Sequence, residues 1–408
     1  MAGSRLLSPA LCKVWGESDG GSSVVDQILV TSGSGAVSLL TQREGDGWQA
    51  EAVRSEGAWP CWRPGYAEIA VSVTREPQGS AVEVVELQPG GFRTNASFAI
   101  SGEPNAIAPR VPHYVMWSPD GSILSVVSRA GETLGLTCFP AHGGAFGTEV
   151  TGAPIFSTWT CDSTRLVVHA GPRVLVVEPS SGEILRTISD GAVGFRAPAI
   201  SDSGRVVYAE PRDGALRVMQ TSIEGSATSE LAQFDSGAVL AFRPKSEDLT
   251  VGLAAAAESG ALAELWLIAA DGARRRIARG PFVGYSWSPA GDKLALVVPA
   301  QTGDGRNYVR VIDPDGGELC ASEALVPSQN FRLWLAFFDQ YSQSHSLWDE
   351  AGETLLLAGR RVDDSVHSSL GDPVGDKVYA WRVGRNQPLE FVAPGQTGFF
   401  GRSKPGDL

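Results

Sequence analysis

Residues suited to redox or metal chemistry are scarce in this chain: 5 cysteines, 5 histidines and 3 methionines among 408 residues. Cys12, Cys61, Cys138, Cys161 and Cys320 are odd in number, irregularly spaced and without a C-x-x-C pair, so neither a disulfide framework nor a zinc site is indicated. No run of apolar residues is long enough for a membrane-spanning helix, so no membrane insertion is expected. Residues 1–21 lack the apolar core of a secretory signal, and a cytoplasmic location is expected. Positive charge is in deficit, with 33 Lys and Arg against 46 Asp and Glu, a formal net charge of −13. Such a surface repels nucleic-acid backbones, and no basic cluster interleaved with aromatics offsets it. No nucleic-acid partner is expected. The one basic run, Arg274 to Arg276, follows Asp271-Gly272, where a solvated outer hairpin strand would begin. Catalytic signatures are missing as well: there is no Gly-rich phosphate loop, no H-E-x-x-H and no EF-hand loop. Gly16-Glu17-Ser18-Asp19-Gly20 matches G-x-S-x-G, but no strand precedes it and no helical pattern follows, so it reads as a flexible lead-in. No cofactor is expected.

What the chain has in quantity is glycine (48), proline (25) and apolar residues (43%), the composition of many short strands joined by tight turns. Self-similarity organises them. The cleanest copies are Trp117-Ser118-Pro119-Asp120-Gly121 and Trp287-Ser288-Pro289-Ala290-Gly291. Weaker ones start at Trp62, Trp159, Ile200, Phe242 and Trp348, and a worn eighth runs from Gly401 to Asp407. Consecutive copies stand 41 to 61 residues apart, the length of four-stranded propeller blades. In each copy an apolar strand runs into the large residue. A turn follows in which Pro presets φ and Gly accepts positive φ, and then three further strands. The large residue reads as a wedge between adjacent blades, a core element and not a catalytic one.

The two ends complement each other. Residues 27–55 give three strands with no motif before them, while Thr397-Gly398-Phe399-Phe400 leads into the last motif with no strands after it. Docking the C-terminal strand beside the N-terminal ones closes a ring and removes an exposed edge. The expectation is an all-β, eight-bladed β-propeller, with seven blades if the worn copy is accidental. Residues 1–26 form the lead-in and 27–408 a single domain.

The W-S-P-D-G copies with trailing strands resemble the TolB-type, or PD40 (WD40-like), propeller repeat over residues 27 to 405. That repeat also occurs in the propeller domains of prolyl oligopeptidase-like enzymes. The resemblance implies the fold; it does not imply one activity, because the repeat serves binding, scaffolding and substrate gating. TolB itself is periplasmic and carries an added N-terminal domain; neither that domain nor an appended α/β-hydrolase domain is expected here. The segment from Phe337 to Trp348 is similar to one found in bacterial members of this propeller class.

That segment also supplies the candidate site. Residues 330–347, placed just ahead of an axis-lining strand, carry Trp334, Phe337, Phe338, Asp339, Gln340, Tyr341 and His345. Inner-strand loops converge at a propeller's axial mouth, where ligands bind. Asp339 as orienting acid, His345 as base and Tyr341 as proton donor would make a catalytic set. His113, Tyr114, Arg196 and Tyr285, on equivalent strands, would join Phe338 and Gln340 as ligand contacts. The bland alternative is that Asp339 and Gln340 tie down a buried loop and His345 bonds a neighbouring strand. Turn aspartates (Asp120, Asp162, Asp202, Asp313, Asp315) are expected to bond their own backbone and not calcium. His113, His142, His169, His345 and His367 do not fall into a ring, so no axial metal is expected. The loops at 75–80 and 362–376 are expected surface excursions, the second a possible partner contact. Three functions remain: a non-catalytic propeller binding a small molecule or protein at its axial mouth, an enzyme (hydrolase, lyase or cyclase) on the same pocket, or a plain scaffold.

Overall fold

A computed structural model describes residues 26–43, 47–75, 79–88, 91–101, 114–144, 149–192, 196–225, 227–255, 260–361 and 375–401. Gly16–Gly20, His113, His367 and most of the worn eighth motif lie outside these residues.

Tight turns between alternating apolar strands dictate antiparallel pairing of chain neighbours. Five four-stranded antiparallel sheets follow in chain order, over residues 58–101, 114–152, 155–189, 199–234 and 238–282. A sixth sheet has eight strands: residues 284–321 and 325–394 each contribute four, joined by the single pair Asn307↔Leu325. The seventh holds three strands of residues 27–54 and, beside Gln27–Thr31, the last strand Thr397–Phe400. Its register sets Ile28 opposite Phe400 and Thr31 opposite Thr397.

The repeat's large residues do pack between sheets. Trp62, Trp117, Trp159, Trp287 and Trp348 are all buried. The Trp287 indole donates to Thr250 Oγ1 (2.9 Å) and Trp62 to Phe399 O (3.4 Å), each in a neighbouring sheet, and Trp348 donates to Ser286 O (3.3 Å) in the other half of the eight-stranded sheet. The residue after the wedge matters too. Arg63 Nε donates to Gly121 O and Arg243 Nε to Gly291 O, both at 2.7 Å, tying one motif to the turn of the next. At both glycines φ is +70°, and a Cβ would press on Pro64 O at 2.8 Å or Pro244 O at 2.5 Å, so no larger residue fits. Asp120 accepts from Ser122 N (3.0 Å) and Asp162 from Thr164 N (3.0 Å), turn bonds within their own motifs.

One element departs from the expected grammar. The inner strand leading to Trp348 is split. Its first part is Leu325–Pro327, paired with Gly359 to Arg361, and its last part is a bridge from Trp348 to Leu355, both on the same edge of the strand Thr354–Arg361. Between them residues 328–346 leave the sheet and form two helices, α1 (Gln329–Ala336) and α2 (Phe338–Tyr341). The insertion therefore interrupts the strand; it does not precede it.

Candidate functional site

The inserted helices are held at both ends and along their length. Ser328 caps α1, its Oγ accepting from Phe331 N at 3.1 Å. Gln396, in the turn before the last strand, accepts from Gln329 N (3.1 Å) and Asn330 N (3.4 Å) and so satisfies two more free amides of the first turn. Apolar residues Phe331, Trp334 and Leu335 bury one face of α1, and every residue of α2 is buried.

Each polar group of the segment meets a different sheet. Asp339 Oδ2 accepts from Ala197 N (2.9 Å), and Oδ1 from Arg196 Nη1 (3.3 Å), which also donates to Ala336 O at 3.2 Å. The Gln340 amide accepts from Ser157 N and donates to Ser157 O, both at 2.9 Å, as a neighbouring strand would. Tyr114 donates to Gln340 O at 2.8 Å and sits 3.1 Å from Ser344 Oγ. His345 Nδ1 lies 2.7 Å from Ser344 Oγ, and Nε2 lies 3.4 Å from Trp59 O. The carbonyl accepts only, so Nε2 carries the proton and Nδ1 accepts from the serine.

Rings complete the packing. Tyr341 stacks on Trp59 (4.4 Å between centroids), His345 meets Phe399 edge-on (4.8 Å), and Phe338 packs on Tyr285 (4.6 Å). Tyr285 itself donates to Val239 O at 3.3 Å. Trp59 holds a φ of +50°, a conformation costing about 1–3 kcal/mol in a non-glycine residue, which this over-determined packing sustains. Gly284 sits where a Cβ would lie 3.1 Å from Leu335 and 3.3 Å from Phe338. The segment thus occupies the space between inner strands: residues 58–62, 114–117, 155–159, 284–287 and 397–400 all touch it.

Burial governs the electrostatics. It pushes the His345 imidazole down to about 4, so the ring is neutral at pH 7. It raises the Asp339 carboxyl, an effect that Arg196 and the Ala197 amide oppose. The Tyr114, Tyr285 and Tyr341 hydroxyls are also pushed up by burial.

Of the residues expected in the site, Asp339, Gln340, Tyr341, His345, Tyr114, Tyr285, Phe338 and Arg196 are brought together; His113 lies outside the described residues. They meet as a packed cluster. Among the described residues no hydrogen bond joins Asp339 to His345: the first bonds Arg196 and Ala197, the second Ser344 and Trp59. His169 sets its Nδ1 2.9 Å from Arg196 O, and His142 is exposed. Trp59, Ser157, Ser344, Gln396 and Phe399 escaped the sequence reading. A signal for one of them existed: Trp59, Tyr114, Phe156, Ala197, Val239, Gly284 and His345 all stand three places before a motif's large residue. Bulk on one side of that column and small residues on the other mirror an asymmetric occupant. A cleft of about 60 Å³ remains beside Cys61, Trp62, Trp117, Gln343 and Phe400. Among the described residues no group of three or more His, Cys, Asp or Glu is placed to hold a metal ion, and no helix is long and apolar enough to cross a membrane.

Four-stranded antiparallel sheets whose inner strands surround a common space define a β-propeller. A eukaryotic initiation factor has this fold, with a TM-score of 0.59 at 13% identity over 93% of this chain and 98% of that one. Weaker likenesses include an oligogalacturonate lyase in complex with manganese (TM-score 0.46, 13% identity, 78% of this chain and 83% of that one). TolB from Acinetobacter baumannii is another (TM-score 0.38, 13% identity, 72% and 62%). No family model matches the chain, and no curated protein matches it. Likeness at this identity speaks to the fold alone.

Proposed function

We propose that residues 27–408 form one eight-bladed propeller of the TolB-like kind, closed by the pairing of Thr397–Phe400 on Gln27–Thr31, that acts in the cytoplasm as a non-catalytic binding module. Its partner is a protein that docks on a mouth of the ring. The observation that carries this reading is the engagement of Asp339, Gln340 and His345 with the walls of the axis: each is buried, and each polar contact ends on the chain itself. A general base needs a free lone pair facing substrate, and the His345 ring nitrogens face Ser344 and Trp59 instead. Among the described residues, the cleft beside Cys61, Trp62 and Gln343 holds about 60 Å³, far below the roughly 300 Å³ of small-molecule pockets. What the insertion leaves exposed is surface: Arg332 and Ala336 on α1, and Ser342 and Gln343 after α2.

The test is a thermal-shift screen of metabolites and divalent metals on wild type and Gln340→Ala, paired with affinity capture from cytosol using wild type, Arg332→Glu and Gln343→Arg. The expected result is no ligand-dependent shift, and a captured protein lost at least tenfold in one surface variant that melts like wild type. A metabolite that raises the wild-type melting temperature by several degrees, with no effect on Gln340→Ala, would put a small-molecule pocket at the insertion in place of a docked protein.

A further inference from the structure

Arg205 opens the second strand of the sheet over residues 199–234, opposite Ser222. Its guanidinium carbon lies 5.1 Å from the ring centre of Phe242 in the next sheet. Arg63 and Arg243 use comparable positions between sheets, and both place Nε on a carbonyl and a terminal nitrogen on a carboxylate, Glu68 or Asp248. Arg205 does neither. Its Nε and Nη2 are sealed from solvent and have no hydrogen-bond partner among the described residues. These two nitrogens form one edge of the planar group, with their N–H bonds parallel, the edge that receives two oxygens of a single anion. Burial lowers the pKa of the group, and the nearby Glu247 and Asp248 carboxylates oppose that shift. Dry, unpartnered donors on a cation are costly and call for an occupant.

Beside Arg205 lies a cleft of about 280 Å³, walled by Ser203, Gly204, Gln220, Thr221 and Ser229. No carboxylate lines it, although the chain as a whole carries a net charge of −13. A second cation stands close by: Arg186 donates to Thr221 Oγ1 (3.3 Å) and Ser222 O (3.0 Å). The lining thus offers the hydroxyls of Ser203 and Ser229 and the Gln220 amide, which donates to Ser229 Oγ at 3.4 Å, more donors than the two oxygens of a carboxylate require.

We propose that this cleft is a phosphate site, in which a rotamer change turns the Nε/Nη2 edge of Arg205 from Phe242 onto two oxygens while Ser203, Ser229 and Gln220 take the others. The site is far in sequence from the axial insertion and stands independently of it. Free phosphate and the phosphoryl group of a small monoester share this chemistry. Inorganic phosphate, glycerol 3-phosphate and acetate are titrated into the full chain at low ionic strength, with phosphorus line broadening for the first two and calorimetry for all three. Saturable phosphate binding is expected, weakened about tenfold in Arg205→Lys, which keeps the charge and loses the fork. Ser229→Asp, an exposed position that leaves Arg205 in place, is expected to abolish it by setting a carboxylate on the wall. Tighter binding of the ester assigns the site to monoesters and equal binding assigns it to free phosphate; both sustain the proposal. Acetate binding as tightly as phosphate, binding unchanged in Arg205→Lys, or no saturable binding in wild type overturns it.

Discussion

His345 shows how a residue's surroundings decide its chemistry. By type it is the side chain most ready to exchange protons near neutral pH; at 1% exposure between Trp59, Tyr341 and Phe399 it is held neutral. The folded-state value of about 4 lies below the ordinary 6.5, so as pH falls between these values the unfolded chain takes up a proton that the folded one refuses, and stability declines by up to about 3 kcal/mol. Asp339 acts in the opposite sense, because its raised value lets the folded state bind a proton earlier. Urea melts of wild type and His345→Gln at pH 7 and pH 4.5 separate the two: the variant is expected to lose less stability on acidification, and equal losses would contradict a buried neutral ring. A run of polar residues inside an aromatic stretch was visible from the sequence at Asp339 to His345. Their partners were not, since Ser157 and Ala197 lie well over a hundred residues away and offer only backbone groups, which every residue possesses.

Among the elements, the final strand carries the sharpest consequence. Phe399 and Phe400 are 1% and 4% exposed, and Gly395 and Gly398 sit where a Cβ would collide with Val30 or Val378. Removing one buried Phe side chain costs about 3–5 kcal/mol, and removing two approaches the whole stability of an ordinary domain, about 5–15 kcal/mol. A chain ending at Gln396 is expected to lose its cooperative melt by circular dichroism and to elute as aggregates in gel filtration, because the edge of Gln27–Thr31 is left unpaired. A monomer with an unshifted melt would show that this pairing is dispensable. The complementarity of the two ends was legible because each lacked what the other supplied. The split strand was not legible: Leu325–Pro327 is three residues long, carries no motif, and belongs to the inner edge only because residues 328–346 depart and return.

At the scale of the molecule, the insertion turns the space between the inner strands into core. Trp334, Phe338, Tyr341, Leu347 and the inner-strand rings belong to one continuous cluster that also reaches Ile28, Tyr285 and Phe399. Replacing residues 328–346 by a short Gly-Ser linker from Pro327 to Leu347 keeps every sheet pair, since these residues face Gly359 and Leu356 on one strand. The expected product retains its β-sheet circular dichroism, unfolds at clearly lower denaturant and binds a hydrophobic dye. An unchanged midpoint would mean that the segment is not part of the core. By itself the amino-acid sequence determined the sheets, because turn chemistry and strand periodicity act over a few residues and repeat along the chain. Only the tertiary structure decided what lies at the centre, because the burial of the Asp339–His345 segment depends on the volumes of residues spread from Trp59 to Phe399, and no local pattern encodes a sum over distant neighbours.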